Sequence, residues 1–193
     1  MIRFEPVPEP EDFKSKAETP GNAWLANNPT GRPRDFWSPF KGTLGTGFRN
    51  LCAYSAMYEP VGTVDHFVSC DEDRTKAYEW SNYRYASGWV NSSKQNLKSA
   101  DIFDPFQVED GWFEIILPSL QLVVSDAVPP DLRAKAGFVL QRLRLRDDER
   151  VIRQRREWYR MYQDREVTLD GLRKKAPLIA RAVELAASAS EEA

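Results

Sequence analysis

The spacing of apolar residues changes twice along the chain and divides it into three stretches. Over residues 1–47, Trp24, Leu25, Phe36, Trp37 and Phe40 stand among Pro6, Pro8, Pro10, Pro20, Pro29, Pro33 and Pro39, with Gly21, Gly31, Gly42, Gly45 and Gly47 between them. Proline fixes φ and removes a donor, and glycine loosens the backbone, so regular elements are short here. The apolar anchors predict an irregular wrap over a core, with one short helix near residues 22–27. Over residues 48–128 the pattern becomes strand-like. β-Branched and aromatic residues at 63–68 and Tyr83–Ala86 predict two strands on either side of the charged loop 71–76, and residues 90–98 predict a short helix. Residues 112–117 and 120–124 predict two further strands around Pro118 and Ser119.

From Pro129 the pattern turns helical. Asp131 stands ahead of a helix at 132–145, Asp147 ahead of one at 149–162, and Thr168 ahead of a third that Pro177 interrupts. Residues 188–193 are expected to fray. The predicted class is α+β: an N-terminal wrap at 1–47, a core with flanking strands at 48–128, and a helical region at 129–193.

Composition narrows what this fold can do. A length of 193 residues fits one domain, or one domain with a helical extension. With 41% hydrophobic residues, including six Trp, ten Phe and seven Tyr, the chain can bury a core. A net charge of −2 gives no overall attraction to nucleic acid, so such binding requires a local patch. Only Cys52 and Cys70 are present, and Met1-Ile2-Arg3-Phe4 carries no signal-peptide pattern, so a reducing, cytoplasmic setting is expected. No apolar run approaches the ~18 residues that span a bilayer, so no membrane partner is expected. No internal repeat is present.

The candidate chemistry centres on the single histidine. His66 follows Asp65 on a predicted strand; Trp80-Ser81-Asn82 comes after the charged loop, and Asn91 with Lys94 opens the predicted helix. An imidazole with an ordinary pKa of about 6.5 can take a proton from water at neutral pH. Asp65 offers a hard anionic oxygen and Asn91 a neutral amide oxygen, donors that suit Mg²⁺ or Mn²⁺. Few protein ligands leave positions on the ion for phosphate oxygens and water. Asn82 is placed to hold the loop and the His66 ring. This set matches what phosphodiester cleavage requires.

In Asp65-His66, Trp80-x-Asn82 and Asn91-x-x-Lys94 the chain resembles the HNH endonuclease family, whose members share a ββα-metal core. The resemblance makes His66 the general base, Asp65 and Asn91 the ligands of Mg²⁺ or Mn²⁺, and Asn82 the loop-holding residue. Lys94 matches a lysine common three positions after the second ligand. A weaker likeness in Asp101-Ile102-Phe103-Asp104-Pro105, Glu109-Asp110 and Leu143-Arg144-Leu145 is similar to a branch that includes the HNH effectors of Septu-type and retron-linked antiphage systems. It covers roughly residues 48–160. It implies an endonuclease acting on nucleic acid, DNA before RNA, in bacterial defence, with an ATPase or another regulatory partner. Many members hold this core with zinc on two Cys-x-x-Cys pairs. Here the pairs align with Cys52-Ala53-Tyr54-Ser55 and Ser87-Gly88-Trp89-Val90. One thiol remains where four N/S ligands are needed, so no structural zinc is expected. Packing of Tyr54, Tyr58, Trp80, Tyr85 or Trp89 takes its place.

Several alternatives stay open on sequence alone. Adjacent strand residues point to opposite faces, so Asp65 and His66 can share an ion only where the strand ends or distorts. Asn82 also suits a turn, Asn91 also suits a helix N-cap, and Lys94, read as a phosphate contact to nucleic acid, also suits a solvated position. Residues 142–165 carry nine Arg against five acids, and Arg153, Arg156 and Arg160 share one helix face. That face is either a phosphate-contacting ridge or the solvated side of an amphipathic helix. The alternative function is a catalytically inactive HNH-derived subunit for nucleic-acid binding or assembly, and a third is an interaction protein in which Asp-His is incidental.

Overall fold

A computed structural model describes residues 1–191, and residues 192–193 lie outside the described residues. The architecture is α+β. Two two-stranded antiparallel sheets are embedded among seven α-helices, counted among the described residues.

The first hairpin pairs β1 (Thr63–His66) with β2 (Tyr83–Ala86), in the register Thr63↔Ala86, Val64↔Tyr85, Asp65↔Arg84 and His66↔Tyr83. All four β2 residues are buried, which explains their aromatic content. Gly62 sits just ahead of β1, where a Cβ would fall 2.4 Å from the Tyr85 ring. Its N–H donates to the Tyr85 hydroxyl at 2.8 Å, so this close approach fixes the start of the strand. The short helix α3 (Gly88–Lys94) follows and packs on β1. It starts two residues before the expected 90 and ends at Gln95, whose φ of 49° leaves the helical region. The tight turn 52–57 lies beside this hairpin, closed by the Leu51↔Tyr58 bridge and by the Ala53 N–H donating to the Tyr85 carbonyl at 2.8 Å.

The N-terminal stretch is more regular than its prolines suggest. It contains α1 (Thr19–Asn27), which extends the expected short helix, and α2 (Lys41–Gly47), which was not anticipated. Phe13, Trp37, Phe40 and Leu44 are buried and join the core, so this segment covers the first hairpin. Helix α2 packs on β2, with Gly45 close against the Tyr85 ring.

The second hairpin pairs β3 (Phe113–Ile116) with β4 (Gln121–Val124). Helix α4 (Arg133–Arg142) packs on β4, without the expected Asp131 cap: no side chain caps its first turn. Asp148, not Asp147, caps α5 (Glu149–Gln163) by accepting from the Arg150 N–H at 3.0 Å. Thr168 caps α6 (Leu169–Lys175) as expected. Pro177 opens a separate helix, α7 (Pro177–Glu191), because proline suits a first helical turn. Ser188 and Ala189, where fraying was expected, continue that helix; the rest of that expectation at 192–193 lies outside the described residues. One hydrophobic core draws side chains from the wrap, both hairpins, α4 and α7. A smaller cluster of Leu172, Ala176, Ile179 and Ala180 lies under Trp158 and Tyr162.

Candidate functional site

The site forms where β1 ends. Strand pairing stops at His66, and the Phe67 N–H donates to the Asn82 carbonyl at 2.8 Å as the chain leaves the ladder. Asp65, His66 and Asn91 all line one cleft of about 220 Å³. Asp65 and His66 still take opposite surroundings, as a strand dictates. The Asp65 side chain turns inward beneath α3, while His66 packs against Trp37 of the N-terminal wrap and Tyr83, its cross-strand neighbour on β2.

His66 is fixed on three sides. Its Nε2 lies 2.9 Å from the Ala77 carbonyl, which can only accept, so Nε2 carries the proton and Nδ1 is left as the acceptor. Trp37 and Tyr83 meet the imidazole edge-on, with ring centroids at 4.6 Å and 5.1 Å. Nδ1 makes no protein hydrogen bond among the described residues and is not sealed from solvent, so it is the nitrogen open to the cleft. Burial lowers the imidazole pKa below its ordinary value, against the opposing pull of the Ala77 carbonyl and Asp65. The neutral form dominates at pH 7.

Asn82 is buried behind the cleft and uses its whole amide. Oδ1 accepts from the Val68 N–H at 2.8 Å, and Nδ2 donates to the carbonyls of Val68 and Lys76, both at 3.0 Å. It ties the segment after His66 to the segment that supplies the Ala77 carbonyl. Asn82 thus reaches His66 through the loop and does not touch the ring. Asn91 lies within α3, and the N-cap position belongs to Ser87. Its Nδ2 donates to Thr63 Oγ1 at 3.1 Å and to the Val64 carbonyl at 3.3 Å, which leaves Oδ1 without a protein partner among the described residues.

Asp65 is 2% exposed, and both its oxygens are engaged. Oδ2 accepts from the Tyr54 hydroxyl at 2.5 Å, and Oδ1 accepts from the Lys94 ammonium at 3.0 Å. Lys94 is 1% exposed and also donates to the His66 carbonyl at 2.5 Å. The sequence suggested a phosphate contact for Lys94; its ammonium is instead turned into the protein as the partner of Asp65. Burial together with Asp65 holds the Tyr54 hydroxyl protonated, with its pKa well above the ordinary value. Asp65 and Asn91 still supply oxygen donors of the kind Mg²⁺ or Mn²⁺ takes, because each carboxylate oxygen has a second lone pair. Among the described residues no group of three or more His, Cys, Asp and Glu gathers to hold a metal. A cation here would rest on few protein ligands, and Lys94 already balances the Asp65 charge.

The four positions aligned with zinc-binding pairs, Cys52, Ser55, Ser87 and Val90, are all buried. Cys52 and Ser87 converge: the Ser87 N–H lies 3.4 Å and its hydroxyl 3.7 Å from the Cys52 sulfur. A hydrogen-bonded thiol and a valine methyl group pack at these positions. Tyr54, whose hydroxyl is on Asp65, links this turn to the cleft.

The arginine face of α5 divides. Arg153 and Arg156 are exposed. Arg160 is surrounded by Glu157, Asp164 and Glu166 at 2.6–2.9 Å, so its charge is neutralised locally and it is a poor phosphate contact. Arg155 is 1% exposed and donates to the carbonyls of Leu120, Leu145 and Arg146. Sequence reasoning missed Trp37 and Arg32 at the cleft, because they sit in irregular segments where no periodicity marks a face. No family model matches the chain, and no curated protein matches it. No helix among the described residues is long and apolar enough to cross a membrane.

Proposed function

We propose that the chain is a divalent-metal-dependent phosphodiesterase of the HNH endonuclease type, acting on nucleic acid, with His66 as general base. The observation that carries this reading is one cleft lined by Asp65, His66 and Asn91, with His66 Nε2 anchored on the Ala77 carbonyl and Nδ1 open. The order hairpin then helix, with α3 against β1, and the meeting of Cys52 with Ser87 at positions aligned to a zinc site add support.

His66 Nδ1 takes the proton of an attacking water, and the Ala77 carbonyl stabilises the imidazolium that results. Trp37 and Tyr83 keep the ring from rotating, and Asn82 fixes the loop on which its anchor lies. Asp65 and Asn91 would hold Mg²⁺ or Mn²⁺, which supplies charge stabilisation at the scissile phosphate. Tyr54 and Lys94 orient the Asp65 carboxylate.

One observation favours the alternative of an inactive HNH-derived binding or assembly subunit: the Lys94 ammonium already sits on the carboxylate a metal needs. Cleavage assays separate the two. Wild type and His66→Ala are incubated with plasmid DNA and with RNA, in Mg²⁺, Mn²⁺ or EDTA. The proposal expects metal-dependent cleavage by wild type alone. Equal cleavage by both proteins, or none by either, sinks it.

A further inference from the structure

A second opening, of about 700 Å³, adjoins the first, and the two share Arg32, Trp37, His66, Cys70 and Asp71 along their common wall. The second is walled by the loop 29–33 and by Arg74. Arg74 lines this opening and at the same time holds the loop. Its guanidinium caps the loop from behind, donating to the carbonyls of Asn28 at 2.7 Å and of Gly31, and stacks over the Trp24 ring. Gly31, at φ 84°, makes the left-handed turn that brings Arg32 next in the chain. The loop is therefore pinned, and the residue it presents is Arg32. Arg32 is exposed, and its guanidinium makes no hydrogen bond or ion pair among the described residues. The cations suggested by the sequence are differently placed, since Lys94 is buried on Asp65 and Arg160 is enclosed by carboxylates.

We propose that Arg32 binds a backbone phosphate of a nucleic-acid strand that lies across both openings, next to the phosphate facing His66. Arg32 is a positioning residue: a planar fork of donors beside a histidine and an aromatic wall suits a phosphodiester strand. The inference rests on the nuclease reading and assigns the strand's path over that site.

The test uses the His66→Ala protein in EDTA, so that binding is read without cleavage. Fluorescence anisotropy is measured with labelled duplex DNA, single-stranded DNA and RNA of one sequence across a salt series. Adding Arg32→Ala weakens the affinity roughly tenfold for the strand type the cleft accepts, and the slope of log K against log salt falls by about one. Arg32→Lys keeps the slope and recovers part of the affinity. Binding that Arg32→Ala leaves unchanged in both affinity and slope overturns the inference alone. Absence of binding to all three probes at low salt overturns the inference and the nuclease reading together.

Discussion

Replacing Lys94 by Met keeps the length of the side chain and removes the ammonium. In the native fold that ammonium and the Asp65 carboxylate are 3.0 Å apart, with side chains 1% and 3% exposed. Without it, Asp65 keeps only the Tyr54 hydroxyl, and the His66 carbonyl loses its donor. Breaking a buried pair by removing one partner costs about 3–5 kcal/mol, because an uncompensated charge stays in the interior. At about 2–4 °C per kcal/mol for a chain of this size, the melting temperature falls by about 6–20 °C. Urea unfolding followed by circular dichroism reads the same change as a lower midpoint at unchanged slope. The double variant Lys94→Met/Asp65→Asn removes the charge that caused the loss and recovers at least ~2 kcal/mol. A loss under ~1 kcal/mol for Lys94→Met, or a double variant no better than the single, refutes a buried Lys94–Asp65 pair.

Other expected outcomes follow from single side chains. Arg155→Met takes the guanidinium donor from the buried Leu120 and Leu145 carbonyls, while the Arg146 carbonyl keeps the Leu122 N–H, and it lowers unfolding free energy by about 2–4 kcal/mol in urea titration, whereas Arg156→Met, on the exposed face of α5, changes it by less than ~0.5 kcal/mol. Asp148→Ala removes the α5 N-cap and costs about 1 kcal/mol, while Asp147→Ala, which makes no cap, stays near wild type in the same titration. Asn82→Ala cuts three part-buried hydrogen bonds, costs about 2–4 kcal/mol, and speeds amide hydrogen exchange at Val68, whose N–H loses its acceptor; unchanged exchange there argues against Asn82 as the loop's anchor.

The sequence disclosed those parts of the fold that rest on local pattern. Tyr83–Ala86 is legible as a strand because its aromatic residues and their fully buried setting agree. Thr168 marks its helix start because capping acts within a few residues, whereas Pro177, read as interrupting that helix, opens a new one because proline suits a first turn. Helix α2 was hidden: Lys41-Gly42-Thr43-Leu44-Gly45-Thr46-Gly47 has three glycines and poor propensity, and tertiary packing of Leu44 and Gly45 overrides it. The site divides in the same way. The spacing of Asp65, His66 and Asn91 suggested a shared cleft, and the three do line one. The partner of Lys94 was not legible, because the charge it meets lies 29 positions away and only the fold brings them together. Arg155 looked like its neighbours in a row of arginines. Its place four residues after buried Val151, on the apolar face of α5, was the available sign that it turns inward.

The central claim is that His66 Nδ1 takes a proton from the attacking water. Its most direct test is the single-turnover cleavage rate of wild type and His66→Ala in Mn²⁺, each with and without added imidazole. The account predicts a drop of about 10²–10⁴ for His66→Ala and partial recovery by imidazole in that variant alone. A variant that cuts at the wild-type rate, or a loss that imidazole leaves untouched while the variant still binds the strand, contradicts it.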